Sequence, residues 1–329
     1  MCETSNDWDE RVSRLRKEKH EIGLPLAEVR EVDDYLDREW DIKHVTPESW
    51  QERLFALPHA LQSEFIGVLD QRSELSFNEQ VIPAELEKRF YDLMSNHSIN
   101  GLMHSQKHVF ILGGLVWVTA VIKRLGIHGT LLDIGCHTGY QTRWYAEKLG
   151  LRVTGADFSC GAIRNAKRYS AEIPNLDFHE WDINTPCPLE EKFDVVVCSD
   201  VITESRVSVP LLEIVSTCLK DNGIFMCLGN MTSIGNASSL QQEARDHGFQ
   251  YGIADVIGGN TGAEWDSRPA ILFTKAPKTA IPDDILRVSS TGWDEAGFPI
   301  YANSHSIEKE KSIAYFRAYN TEKSEKGRS

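Results

Sequence analysis

The stretch Leu131-Leu132-Asp133-Ile134-Gly135-Cys136-His137-Thr138-Gly139 constrains this chain more than any other. An apolar run ends in an acid, two glycines follow four residues apart, and a helical pattern then extends from Gly139 to Leu149. This reads as a buried strand turning sharply into a helix, with glycine where backbone must come close to a ligand. A dinucleotide pyrophosphate needs bare N–H groups at a positive helix end and the spacing G-x-G-x-x-G. The third glycine of that spacing is missing, and Asp133 would repel a phosphate. A ligand with an ammonium, a carboxylate and a sulfonium but no phosphate tolerates the acid.

Further strand ends fit a ligand that also carries a nucleoside. Asp157 closes the next strand-like run, eighteen residues after Gly139. At about that spacing, α/β sheets place an acid that accepts from ribose hydroxyls. Asp182 follows a third strand in Glu180-Trp181-Asp182-Ile183. A carboxylate there accepts from an adenine amino group while the next N–H, that of Ile183, donates to a ring nitrogen. Phe158 or Trp181 is placed to stack on the adenine. The segment Phe193–Glu204 brings Ser199, Asp200 and Glu204 to the carboxyl edge of a fourth strand, where open α/β sheets bind ligands. Plainer readings stand beside these: Asp157 as a solvated strand end, Trp181 as core, Glu204 as a helix cap, and Tyr140 as packing beneath its helix.

Together these residues resemble the class I S-adenosyl-L-methionine (SAM)-dependent methyltransferases of small-molecule type. The family's first motif is usually D-x-G-x-G-x-G, and His137 stands here in place of the middle glycine. Gly155-Ala156-Asp157-Phe158-Ser159 resembles its second motif. The fourth-strand loop, often C-x-x-V-L-E-H, has Thr203 for Leu and Ser205 for His. The resemblance covers roughly Thr130 to Lys275. It implies an α/β fold, a Rossmann-like doubly wound seven-stranded sheet with an all-helical region before it. It implies SAM as cofactor, held by Asp133, Gly135, His137, Gly139, Asp157, Phe158, Asp182, Ile183 and Ser199. Asp200 and Glu204 are the expected groups for holding or deprotonating an acceptor, and Tyr140 the ring facing the sulfonium. The expected reaction is in-line methyl transfer to O, N or C of a small molecule. Two alternatives stay open: cyclisation of SAM to azetidine-2-carboxylate with release of methylthioadenosine, and SAM binding without catalysis.

The rest of the chain bounds this reading. Residues 1–125 pattern as helices, the clearest start being Thr46-Pro47-Glu48-Ser49, with Thr as cap and Pro at the first helical position. The polar run Ser95–Ser98 is expected to break a helix, and a long apolar helix to begin near His104. Residues 126–277 alternate strand and helix, with a turn at Asp221-Asn222-Gly223, and residues 278–329 form an extension with a charged tail. A net charge of −14 disfavours nucleic acid. The apolar run Val109–Ile122 is shorter than the ~20 residues of a membrane span. The charged start, Met1 to Glu21, and seven cysteines without a C-x-x-C pair fit a reducing cytoplasm. His104 and His108 have a metal-ligand spacing but no third ligand, so no metal is expected. A homodimer is compatible with the sequence.

Overall fold

The computed structural model describes residues 26–43, 45–78, 80–201, 211–228, 243–249, 251–260 and 265–276. The first 25 residues of the expected helical region, the extension 278–329 and Glu204 lie outside the described residues.

Six helices come first: α1 (Leu26–Trp40), α2 (Pro47–Phe55), α3 (His59–Phe77), α4 (Ala84–Met94), α5 (His97–Ser105) and α6 (His108–Leu125). The cap before α2 is reciprocal. Thr46 Oγ1 accepts from the Ser49 N–H at 3.2 Å, and Ser49 Oγ accepts from the Thr46 N–H at 2.9 Å. The structure corrects one expectation here. Ser95–Ser98 does end a helix, but Asn96 also caps a new one, its Oδ1 accepting from the Ser98 N–H at 3.1 Å. The long helix therefore begins at His108, and His104 and His108 belong to different helices.

The sheet has the order β3-β2-β1-β4-β5-β7-β6. Its strands are β1 (Thr130–Ile134), β2 (Arg152–Asp157), β3 (Leu176–Glu180), β4 (Phe193–Ser199), β5 (Leu219–Leu228), β6 (Tyr251–Asn260) and β7 (Trp265–Thr274). Helices α7 (Tyr140–Leu149), α8 (Cys160–Tyr169) and α9 (Leu211–Cys218) alternate with them. β1 to β5 pair in parallel, and β7 runs antiparallel between β5 and β6. The expected turn at Asp221–Gly223 lies inside β5, where pairing jumps from Phe193↔Leu219 to Val195↔Ile224.

Successive strand residues point to opposite faces, and both faces are covered, so the central strands read as unbroken apolar runs. Leu131 and Val195 join Leu36, Trp40, Val118 and Val121 of α1 and α6 in one core. Leu132 and Val196 join Leu212, Val215 and Phe273 in another. A third core, with Trp50, Phe65, Phe90 and Leu102, holds the remaining helices together. The chain winds outward from β1 through β2 to β3, then returns to β4 on the other side of β1. That reversal opens a crevice at the carboxyl ends of β1 and β4.

Helix α5 is drawn onto this crevice by a tight contact with the end of α1. A β-carbon on Gly101 would stand 2.8 Å from Asp41 O and 2.9 Å from Trp40 O. Arg53 reinforces the junction, donating to Asp41 O at 2.8 Å, Asp41 Oδ2 at 2.7 Å and Ser105 Oγ at 2.8 Å. Because the neighbours are backbone atoms, they cannot swing aside. Gly101→Ala is expected to lower stability by about 1–3 kcal/mol in urea denaturation; wild-type stability in this variant would contradict the close approach.

Candidate cofactor and active site

The turn after β1 is built from left-handed backbone. Gly135 (φ +75), His137 (φ +49) and Gly139 (φ +82) all lie in the region that favours glycine. At Gly139 a β-carbon would stand 2.7 Å from the Phe178 ring, so glycine is required for space as well. The N–H groups of Gly135 and Cys136 both donate to Ala156 O, at 2.7 and 3.1 Å, folding the turn across the end of β2. His137 carries a side chain where the backbone is strained for one. Two bonds hold it: its N–H donates to Asp157 Oδ2 at 3.0 Å, and its ring Nε2 faces Tyr91 O at 3.3 Å.

Four carboxylates stand at successive strand ends. Asp133, 2% exposed, accepts from Thr142 Oγ1 at 2.6 Å. Burial pushes its pKa up to about 7, with the Thr142 bond opposing the shift and the charge of Asp157 adding to it. Asp157 is buried, and its Oδ1 accepts from the Ser159 N–H at 2.9 Å, at the start of α8. Asp182 is half-buried, and its Oδ1 accepts from the Asn184 N–H and Nδ2, each at 3.0 Å. Ser199 ends β4, half-buried. Asp200 follows it with φ +62, accepts from Lys107 Nζ at 2.9 Å, and donates its N–H to Leu228 O at 2.9 Å.

The adenine-side rings separate. Phe158 is half-buried, edge-on to Tyr91 at 5.2 Å. Trp181 and Ile183 have their side chains in the core, and the Trp181 indole N–H donates to Thr185 O at 3.1 Å. Of the two readings for Trp181, its surroundings fit packing.

Tyr140 is buried in an aromatic cluster, its ring 6.2 Å from Trp40 and 5.0 Å from His104. Its hydroxyl accepts from Gln141 Nε2 at 3.0 Å, and burial raises its pKa far above the ordinary phenol value, so it stays protonated. The same helical cover supplies Asn100, which sequence reasoning missed, and places His104 beside it. Asn100 is fully buried, and its Oδ1 accepts from Thr138 Oγ1 at 3.1 Å. His104 Nδ1 meets Asn100 O at 2.9 Å, and its ring lies 5.7 Å from His137. Crowded surroundings and the neighbouring His137 hold the His104 pKa down at about 3, so its ring is neutral. The cap at Asn96 was the signal for this helix. His108, by contrast, pairs with Asp33 at 2.7 Å. Among the described residues no group of three or more His, Cys, Asp or Glu converges as a metal site.

Comparison with known proteins bears on the same residues. Residues 132–225 match the family profile described as a methyltransferase domain. Methylphloroacetophenone synthase of Cladonia uncialis is 26% identical over 184 residues, 53% of this chain. The match spans only 7% of that much longer protein. Among solved structures, a TehB-like SAM-dependent methyltransferase from Corynebacterium glutamicum superposes with TM-score 0.39 at 19% identity. That match covers 49% of this chain and 86% of the other. A glycopeptide N-methyltransferase complexed with sinefungin superposes with TM-score 0.39 at 15% identity, covering 48% of this chain and 85% of the other.

The residues present suit SAM on chemical grounds. Carboxylates line the edge where a sulfonium and ammonium need negative potential, and Asp133 sits where a pyrophosphate would be repelled. Holding that charge has a cost. The folded-state pKa of Asp133 lies above the unfolded value of ~3.9, so between about pH 4 and pH 7 the native chain keeps a proton that the unfolded chain releases. Stability attributable to this group therefore falls as pH rises through that window and loses nothing more above it. Asp133→Asn is expected to raise the Tm of the unliganded protein at pH 8 by about 2–4 °C, with a smaller gain at pH 5. A Tm at pH 8 below that of the wild type would contradict the buried-charge account.

Proposed function

We propose, on the premise that residues 132–225 are a class I SAM-dependent methyltransferase domain, that this chain transfers the methyl group of SAM to O, N or C of a small molecule. The observation that carries the reading is Asp157. One buried carboxylate at the end of β2 bonds the backbone of the turn after β1, joining the two cofactor motifs in one receptor. On this reading the adenosine lies across the ends of β2 and β3, with Asp157 at the ribose and Asp182 and the Ile183 N–H at the adenine. Gly135 and Gly139 let the backbone approach the ligand, and Phe158 flanks the base. Residues 1–125 act as a cover on the acceptor side, residues 126–277 bind the cofactor, and residues 278–329 are an extension.

The sulfonium makes the methyl group a reactive electrophile, so the chain's own work is alignment and exclusion of water. Asp200, fixed by Lys107 and held in a left-handed conformation, is suited to orient an acceptor hydroxyl or amine. Glu204, outside the described residues, is the second candidate for that role. Tyr140, buried beside the turn, contributes ring surface toward the sulfonium. None of the described helices is long and apolar enough to cross a membrane.

The cover packs directly on the cofactor turn, since Tyr35 OH donates to Tyr140 O at 2.7 Å and His137 meets Tyr91. That closeness favours a second reading, in which SAM's own amine is the nucleophile. Calorimetry with S-adenosylhomocysteine tests the common premise. Asp157→Ala is expected to weaken binding at least tenfold, and unchanged affinity rejects the site. Incubation with SAM alone separates the two reactions: methylthioadenosine formed without an acceptor excludes plain methyl transfer.

A further inference from the structure

Two buried polar atoms at the junction of the cover and the cofactor turn have no hydrogen-bond partner: Nδ2 of Asn100 and Nδ1 of His137. Asn100 has no exposed surface and His137 only 7%. Buried polar atoms are nearly always paired in native proteins, so two orphans facing each other's elements, one on α5 and one on the turn after β1, call for a ligand that completes them. They belong to one cluster. Thr138, directly after His137, donates to Asn100 Oδ1 at 3.1 Å, and His104 joins Asn100 O to the His137 ring.

The two atoms have opposite chemistry. With Oδ1 accepting from Thr138, Asn100 Nδ2 is a donor with two N–H groups. His137 Nε2 faces a carbonyl oxygen, which can only accept, so Nε2 carries the ring hydrogen and Nδ1 is a bare lone pair. Burial holds the His137 pKa below the ordinary histidine value, against the pull of Asp157 and Asp92, and keeps that lone pair free. The cluster thus presents a donor for an anion and an acceptor for a cation. An α-amino acid has that pairing. Its position agrees, because a nucleoside over β2 and β3 extends its other end toward β1 and β4, where this cluster stands.

We infer that Asn100 and His137 form the receptor for the amino-acid end of SAM, Asn100 Nδ2 donating to the carboxylate and His137 Nδ1 accepting from the ammonium. The assignment rests on the SAM reading above. It makes the cover part of the cofactor site as well as a wall of the acceptor site. It also gives the histidine in place of glycine a function that offsets its backbone strain.

Calorimetry on the full chain with three nucleosides tests this. S-adenosylhomocysteine carries both charged groups of the amino acid, decarboxylated SAM carries the ammonium and the sulfonium but no carboxylate, and 5′-methylthioadenosine carries none of these. Asn100→Asp keeps the shape and the oxygen that Thr138 bonds, but replaces the donor with a negative oxygen. It is expected to weaken S-adenosylhomocysteine about 10- to 100-fold and to leave methylthioadenosine and decarboxylated SAM no weaker. His137→Gly relaxes the turn and removes the lone pair. It should weaken S-adenosylhomocysteine and decarboxylated SAM about tenfold with methylthioadenosine unchanged. Wild-type affinity for S-adenosylhomocysteine in Asn100→Asp overturns the assignment, as does an equal loss for all three nucleosides in both variants. Failure of the wild-type protein to bind any of the three is a different result, because it removes the SAM reading itself.

Discussion

The carboxylate of Asp157 bonds two parts of the molecule directly and reaches a third through Ser159. One oxygen takes the His137 N–H from the turn after β1, and the other takes the Ser159 N–H at the start of α8. Ser159 in turn caps α8 by accepting from the Ala162 N–H at 3.1 Å, and its hydroxyl donates to Asp92 of α4 at 2.7 Å. Asp92 also accepts from the Gly161 N–H at 3.2 Å. In a buried setting such charge-assisted bonds are stronger than in water, and losing one member exposes the others to an unpaired cost. The network therefore fixes the position of the cover relative to the sheet edge, and with it the shape of the crevice.

Much of this was legible in the sequence because it rests on strand ends. A strand that must be buried on both faces shows as an apolar run, and the residue at its carboxyl end is the one that meets a ligand. Asp133, Asp157, Asp182 and Asp200 all follow such runs, and the structure brings them to one edge of the sheet. What was not legible depended on helix boundaries and on tertiary contact. Ser95–Ser98 is polar enough to stop a helix, and the same composition starts one, since Asn96 supplies the cap. Missing α5 meant missing Asn100. His104 and His108 shared a helical spacing in the sequence, yet a break between α5 and α6 turns them to different partners. Trp181 offered stacking or packing with equal force, because an indole suits both; only its core neighbours and its bond to Thr185 distinguish them.

The electrostatics of the site follow from burial more than from residue count. Asp133 alone at a surface would be an ordinary carboxylate. Sealed beneath the turn, it titrates near neutrality and its ionised form has little competition from water for a cation. Asp200 is treated differently, since Lys107 already neutralises it and its left-handed backbone sets its direction. Two acids on neighbouring strands thus stand in distinct environments, one buried without a basic partner in hydrogen-bond contact among the described residues and the other paired with a lysine.

The helical cover cannot be considered apart from this chemistry. Leu36 and Trp40 of α1 share one core with Leu131 and Val195 of the sheet, so the cover is packed on the sheet. Its polar contacts reach the turn at Tyr91, Asn100 and Tyr35, each bonding a residue between His137 and Tyr140. A glycine at position 137 would leave Tyr91 O without that ring and would loosen the tie between α4 and the turn. The histidine accepts backbone strain and closes the tie. Local strain of this kind persists only where surrounding contacts hold it, and here they come from both sides, Asp157 of the sheet at the backbone and Tyr91 of the cover at the ring. The histidine at position 137 and the helical cover are therefore structurally coupled, since the ring that fills this place on the turn is held by a carbonyl of α4.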